Sequence, residues 1–255
     1  MVISDMHTHT RYSSDSKALM EDYCKKALVC GVNIICFTDH ADYNEKDSGY
    51  MYYDADAFFR EFNEIKEKYR GRIELLSGIE FSEPHLYGEK LEQLSKFPYD
   101  FILGSIHFFY NDMFPSEMLK NGLPAELIFE HYWEELLKMV DYGCFDCVAH
   151  LDFPKRYYNK LIYSEEKLSQ ILDIIIKKEI CLEINTSSLR KRIGSAMPDR
   201  DMLSLYKALG GKYVTIGSDA HSAGELAADF AYARELAESL KLDAVIFRQR
   251  SLTHF

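Results

Sequence analysis

Val2-Ile3-Ser4-Asp5-Met6-His7-Thr8-His9 opens the chain as a short apolar run that ends in two histidines one residue apart. On a strand, residues i and i+2 point to the same side, so both imidazoles can reach one ion. The same kind of ending recurs six more times. Residues 34–37 run into Thr38-Asp39-His40, and residues 73–79 close on Gly78-Ile79-Glu80. Residues 101–106 lead to Gly104-Ser105-Ile106-His107, and residues 145–149 to Ala149-His150-Leu151-Asp152. Residues 180–184 end in Glu183-Ile184-Asn185-Thr186, and residues 213–216 in Gly217-Ser218-Asp219-Ala220-His221.

Between these runs lie longer amphipathic stretches with helix signals. Helices are expected over residues 17–30, with Ser14, Asp15 or Ser16 as cap, and from Asp54 to about residue 69. Others are expected near residues 89–95, from Pro124 at a first helical position to residue 142, and from a Ser164 cap to residue 178. The last two are residues 199–209, stopped by Gly210-Gly211, and residues 223–240. The tail beyond is unassigned. Seven strands alternating with helices imply a parallel sheet with crossover helices. No linker or repeat divides the chain, so residues 1–255 read as a single barrel-like domain. An open doubly wound sheet is the alternative; the first strand lacks a Gly-rich phosphate loop, which weighs against it.

In a parallel barrel the strand C-termini share one face, where active sites sit. Six of the nine histidines stand at those ends. Imidazole with carboxylate suits zinc, iron or manganese better than calcium or magnesium. The ligands exceed what one ion needs, so two or three divalent transition-metal ions are expected. Three ions against Asp15, Glu80 and Asp219 would leave about three positive charges, enough to attract a phosphate dianion. Lys155-Arg156 and Arg190-Lys191-Arg192 follow the fifth and sixth strands and add local cations.

The bulk numbers limit the function classes. Of 255 residues 47% are hydrophobic and 28% charged, ordinary for a globular protein. A net charge of -11 disfavours nucleic acid and anionic membrane as partners. No apolar run nears the roughly 20 residues a membrane span needs, and the first residues do not resemble a signal peptide. The expected location is therefore cytoplasmic. Six cysteines form no secreted framework; Cys144-x-x-Cys147 reads as buried thiol rather than a redox or zinc pair.

The seven endings, taken in order, resemble the polymerase-and-histidinol-phosphatase (PHP) superfamily, and within it the histidinol-phosphate phosphatase branch. The matching stretch at the first strand extends through Thr10-Arg11-Tyr12-Ser13-Ser14-Asp15-Ser16. The resemblance implies a distorted (β/α)7 barrel, TIM-like, with a trinuclear site at the strand C-termini. His7, His9, Glu80 and Asp219 would hold the first ion. Glu80 would bridge to a second held by His107 and His150. Asp15, His40 and His221 would hold the third; many members carry histidine where this chain has Asp15, and aspartate is typical of the branch. Arg156 and Arg190 would clamp phosphate, with Arg192 as fallback.

The implied reaction is hydrolysis of L-histidinol phosphate, a small-molecule phosphate ester, by a metal-bridging hydroxide. The leaving alkoxide needs a metal or a proton donor, and Asp219 or His221 could serve as the donor. Rivals are a superfamily phosphoesterase acting on a nucleotide, oligonucleotide or phosphotyrosine, a metal-dependent amidohydrolase, and a non-catalytic metal-binding domain. Asp39 and Asp152 are candidates to orient ligands from behind. Tyr12, Tyr157 and Phe108-Phe109-Tyr110 are candidate pocket walls. His85, His131 and His254 read as loop, helix and tail residues. The oligomeric state is left open.

Overall fold

The computed structural model describes residues 2–191 and 193–254, so Arg192 lies outside the described residues. Eight strands form one parallel sheet in sequence order: β1 (Ser4–Thr8), β2 (Ile34–Ala41), β3 (Glu74–Ser82), β4 (Phe101–Ser105), β5 (Cys147–Val148), β6 (Cys181–Asn185), β7 (Tyr213–Gly217) and β8 (Asp243–Ala244). The longest pairing runs unbroken from Ile34↔Glu74 to Ala41↔Phe81. The crossovers and loops carry α1 (Met20–Cys30), α2 (Ala55–Lys68), α3 (Gly88–Leu94), α4 (Pro115–Lys120), α5 (Ala125–Tyr142), α6 (Lys155–Tyr158), α7 (Glu165–Lys177), α8 (Ser187–Arg190), α9 (Arg200–Ala208) and α10 (Phe230–Ser239). No helix among the described residues is long and apolar enough to cross a membrane.

The sheet curls until its ends meet on one side only. Past β7, Ala220 bridges to Thr8 in parallel, Asp219 N–H donates to His7 C=O at 2.8 Å, and His9 N–H donates to Ala220 C=O at 2.8 Å. At the opposite end β8 pairs with the start of β7, through Tyr213↔Asp243 and Val214↔Ala244. The barrel thus closes on seven strands at its C-terminal rim and is wedged by an eighth at its base. That is the distorted (β/α)7 barrel expected, with a two-residue strand added from the unassigned tail.

A hairpin of β9 (Ile246–Arg248) and β10 (Ser251–Thr253) then covers the base. Val245, Ile246 and Phe247 are buried against Met6, Leu76, Phe101 and Leu103 of the barrel interior, and the Phe101 and Phe247 rings lie 5.1 Å apart. Arg248 forks onto Glu74, and Arg250 pairs with Asp146 at 2.5 Å. The helices lay apolar stripes on the outside of the sheet, such as Phe58, Phe59 and Phe62 of α2. The six cysteines are free thiols; Cys30 and Cys144 are exposed and the other four buried.

Asp54 and Ser164 cap their helices as expected, and Asp199, expected as a first helical residue, caps α9; each accepts from a backbone N–H three residues on. Three expectations are corrected. Helix α1 starts at Met20 with no side-chain cap; of the cap candidates, Ser16 donates instead to the His9 and His221 carbonyls and Asp15 faces His221. Pro124 is the N-cap of α5, not its first helical residue. The expected helix over 223–240 is a single 3-10 turn, Ala223–Glu225, followed after a break by α10. The break has a cause: Ala227 and Asp229 take left-handed φ values of 53° and 61°, and Ala227 N–H is drawn to the buried Asp5 carboxylate at 2.9 Å.

Candidate metal centre

Strand alternation and the shared rim bring all nine expected ligands together around Glu80. Its carboxylate is buried at the end of β3. Glu80 Oε2 lies 3.2 Å from His7 Nε2, 3.5 Å from His9 Nε2 and 3.2 Å from His40 Nδ1. Glu80 Oε1 lies 2.8 Å from His150 Nε2 and 3.4 Å from His107 Nε2. Asp219 Oδ1 is 3.4 Å from His9 Nε2 and 3.9 Å from His7 Nε2. Asp15 Oδ2 reaches His221 Nε2 at 3.0 Å and His40 Nε2 at 3.7 Å. The three groups implied by the resemblance are therefore three adjoining clusters; Glu80 Oε1 faces the second, and Oε2 faces the first and His40 of the third. His40, Asp42 and His107 form a further close group, which adds Asp42 to the expected set.

Most of the rings are oriented from behind. His7 Nδ1 meets Glu183 Oε1 at 2.6 Å. His221 Nδ1 meets the Asp219 carbonyl at 3.1 Å. His9 Nδ1 contacts the Ser13 hydroxyl, which donates to Asp39; His107 Nδ1 contacts the Ser82 hydroxyl, which donates to Asp42. Each contact turns Nε2 inward, the arrangement that suits a metal ligand. Close packing demands Gly217: a Cβ there would lie 2.1 Å from Glu183 Oε1 and 2.5 Å from His7 Cβ.

The electrostatics match a site built for cations. Burial opposes the charge on Glu80, yet His7, His40, His150 and His107 outweigh it and hold the carboxyl well below its usual range. Asp219 is likewise held low against burial by Arg156, His7, His9 and His221. Burial also opposes protonation of His107 and His221, but Glu80 at the first and Asp15 with Asp219 at the second raise each to about 9. His9 is pushed well down by burial and by its neighbours His221 and His40, and His150 is lowered mainly by burial. Buried His9 Nε2 and His40 Nδ1 have no hydrogen-bond partner. Unpaired buried polar atoms are costly, and here they converge in an imidazole–carboxylate set that fits divalent transition metals.

Cations and aromatics line the cavity above. Arg156 Nη2 donates to Asp219 Oδ2 and to Ser187 Oγ, both at 2.5 Å, and the guanidinium lies over the Phe153 ring. Arg190 instead donates to the Ser218 carbonyl at 2.6 Å and to Glu225 Oε1 at 3.3 Å. Its neighbour Lys191 lines the cavity, with Phe108, Phe114, Phe153 and Tyr157. Tyr12 donates to Glu61 and Ala57, and Phe109 packs on Tyr132. Asp39 is the rear anchor expected, accepting from Thr10 N–H, Thr10 O–H and Ser13 O–H. Asp152 pairs with Lys155 Nζ at 2.5 Å. His85 pairs with Glu135, His131 lies against Tyr110 and His254 against Tyr213. Sequence reasoning missed Glu183 and Asp42 as partners. The signal was there: Asp42 stands two residues after His40, and Glu183 sits in the sixth strand ending.

A model of the PHP domain family matches residues 5–187. A protein of Clostridium acetobutylicum named probable histidinol-phosphatase is 31% identical, the match covering 99% of this chain and 100% of that one. A namesake from Thermotoga maritima is 33% identical over 85% of this chain and 83% of its own. The crystal structure of histidinol phosphate phosphatase from Lactococcus lactis, complexed with zinc, L-histidinol and phosphate, superposes with a TM-score of 0.80 at 23% identity, covering 98% of each chain. Family match, full-length relatives and shared barrel agree: the chain belongs to the PHP domain family.

Proposed function

We propose that this chain is a metal-dependent phosphomonoesterase that hydrolyses L-histidinol phosphate to L-histidinol and phosphate. The names borne by its full-length relatives support the substrate. The observation that carries the reading is the polarity of the cavity. Arg156 pairs with Asp219 and Lys191 lies within electrostatic reach of it, while Asp42, Asp47 and Glu117 bring carboxylates to the same cavity. Phe108, Phe114, Phe153 and Tyr157 supply apolar walls. A substrate with a phosphate dianion, an ammonium and an aromatic ring uses all three features.

His7, His9, Glu80 and Asp219 would hold one ion, Glu80 with His107 and His150 a second, and Asp15, His40 and His221 a third. Bound there, divalent ions such as zinc, iron or manganese supply Lewis acidity and activate water for attack on phosphorus. The protein's own groups do the rest. Arg156 offers a guanidinium fork to the equatorial phosphoryl oxygens, where charge develops. Lys191 adds a second positive charge at the rim. Arg190 buttresses the β7 end through Ser218 and Glu225. Asp219 and His221, both within that ligand set, are the groups offered to the leaving oxygen. The aromatic walls exclude water from the ring.

The amine is the test. Charge-assisted hydrogen bonds are worth about 1.5–3 kcal/mol, so the deamino analogue, 3-(imidazol-4-yl)propyl phosphate, should lose about 10–100-fold in kcat/KM. Equal turnover of the two esters would contradict the polar reading of the cavity.

A further inference from the structure

Two of the ligating imidazoles share one wiring pattern. His9 Nδ1 lies 3.0 Å from the Ser13 hydroxyl. That hydroxyl donates to Asp39 Oδ1 at 2.8 Å and accepts the His40 backbone N–H at 2.9 Å. His107 Nδ1 lies 2.9 Å from the Ser82 hydroxyl, which donates to Asp42 Oδ1 at 2.6 Å. All six side chains are buried except for a small part of His107 and Asp42. Both carboxylates come from the tail of β2, Asp39-His40-Ala41-Asp42, so one segment supplies a ligand and two anchors.

A serine hydroxyl has one proton and two acceptor lone pairs. At Ser13 the proton is committed to the carboxylate, and the His40 N–H fills one lone pair. Only an acceptor site remains for the imidazole. At Ser82 the proton is committed in the same way, and the Ser105 hydroxyl, 3.3 Å away, can fill the other lone pair. Both rings must therefore present Nδ1–H to the serine, which leaves Nε2 as the lone pair facing Glu80. His7 reaches the same orientation differently, with Glu183 touching its ring directly. A serine spacer holds the ring without adding another anion against it.

The geometry points to Ser13 and Ser82 as positioning residues that, through Asp39 and Asp42, fix Nε2 of His9 and His107 as the metal-binding nitrogen. This rests on the metal-dependent reading of the site. Neither residue touches substrate; each acts through its histidine. Partners of this kind are worth about 10–100-fold in metal affinity.

The test uses the whole chain, labelled with 15N-histidine and loaded with zinc. Two-bond 1H–15N spectra should show His9 and His107 protonated at Nδ1 and zinc-bound at Nε2. Ser13→Ala and Ser82→Ala should each weaken zinc about 10–100-fold in chelator competition and shift that histidine's Nδ1 signal. Ser13→Thr and Ser82→Thr, which keep the hydroxyl, should recover most of the loss. Zinc on Nδ1 of either ring in the wild type overturns the proposal, even if the alanine variants fail to fold. So do folded alanine variants with unchanged zinc affinity. A wild-type chain that takes up no zinc overturns the metal reading itself, and this inference falls with it.

Discussion

Loading the site with zinc should release protons, and the structure says how many. A metal-binding imidazole must be neutral, so ions compete with protons. In the ion-free chain His107 and His221 are raised to about 9 by Glu80 and by Asp15 with Asp219, which outweigh burial. His7 moves in the same direction: burial opposes, but Glu183, Glu80 and Asp219 prevail. His9 and His150 are lowered and carry no proton to give. At pH 8 a group with a pKa of about 9 is about 90% protonated, whereas an ordinary imidazole at about 6.5 is about 3% protonated. The perturbed site should therefore release about two to three protons per chain at pH 8; unperturbed rings would release almost none. The sign fixes the pH dependence. Affinity is weakest at low pH, rises as pH approaches 9, and levels off above it. With a pKa of about 9, proton competition falls from about 100-fold at pH 7 to about twofold at pH 9, so each of these two sites should gain about 50-fold in apparent affinity across that range. Titration calorimetry in buffers of different ionisation enthalpy, with a chelator controlling free zinc, reads both quantities. Release below about 0.3 proton per chain at pH 8, with affinity flat from pH 7 to 9, would refute this electrostatic account.

Arg156 is expected to act on the transition state. Arg156→Ala should lower kcat/KM by about 10²–10³, the cost of one oxyanion donor, and weaken inhibition by inorganic phosphate; unchanged phosphate inhibition would assign the guanidinium to Asp219 alone. At the barrel base, Phe247→Ala removes a buried ring from the face of Phe101. It should cost about 3–5 kcal/mol in urea unfolding. A loss below about 1 kcal/mol would mean that the hairpin does not seal the core.

Much of the site was legible because a barrel converts sequence into position. Once His7-x-His9, Glu80, His107, His150 and Asp219 are placed at strand ends, the shared rim brings them together. Strand β8 was not legible: Asp243–Ala244 is two residues long and runs straight into the apolar Val245-Ile246-Phe247 of the base hairpin, and it pairs where the start of β7 has a free edge. The helix expected from 223 failed for a related reason. Asp5, at the other end of the chain, claims the backbone N–H of Ala227, and this long-range bond overrides local helical propensity. Successive side chains on a short helix point about 100° apart. That turn decides that Lys191 lines the cavity while Arg190 bonds to Ser218 and Glu225. The serine relays escaped notice because Ser13 and Asp39, or Ser82 and Asp42, meet only after strand registers are set.

The central claim is a metal-dependent phosphatase that reads histidinol phosphate. Its most direct test is kcat/KM for phosphate release from L-histidinol phosphate, p-nitrophenyl phosphate and AMP, on protein of assayed metal content. The account predicts two to three divalent ions per chain and a preference for histidinol phosphate of about two orders of magnitude or more, the size of a discrimination built on paired polar groups. Bound metal with no preference among the three esters would contradict the substrate assignment, and turnover without metal would contradict the mechanism.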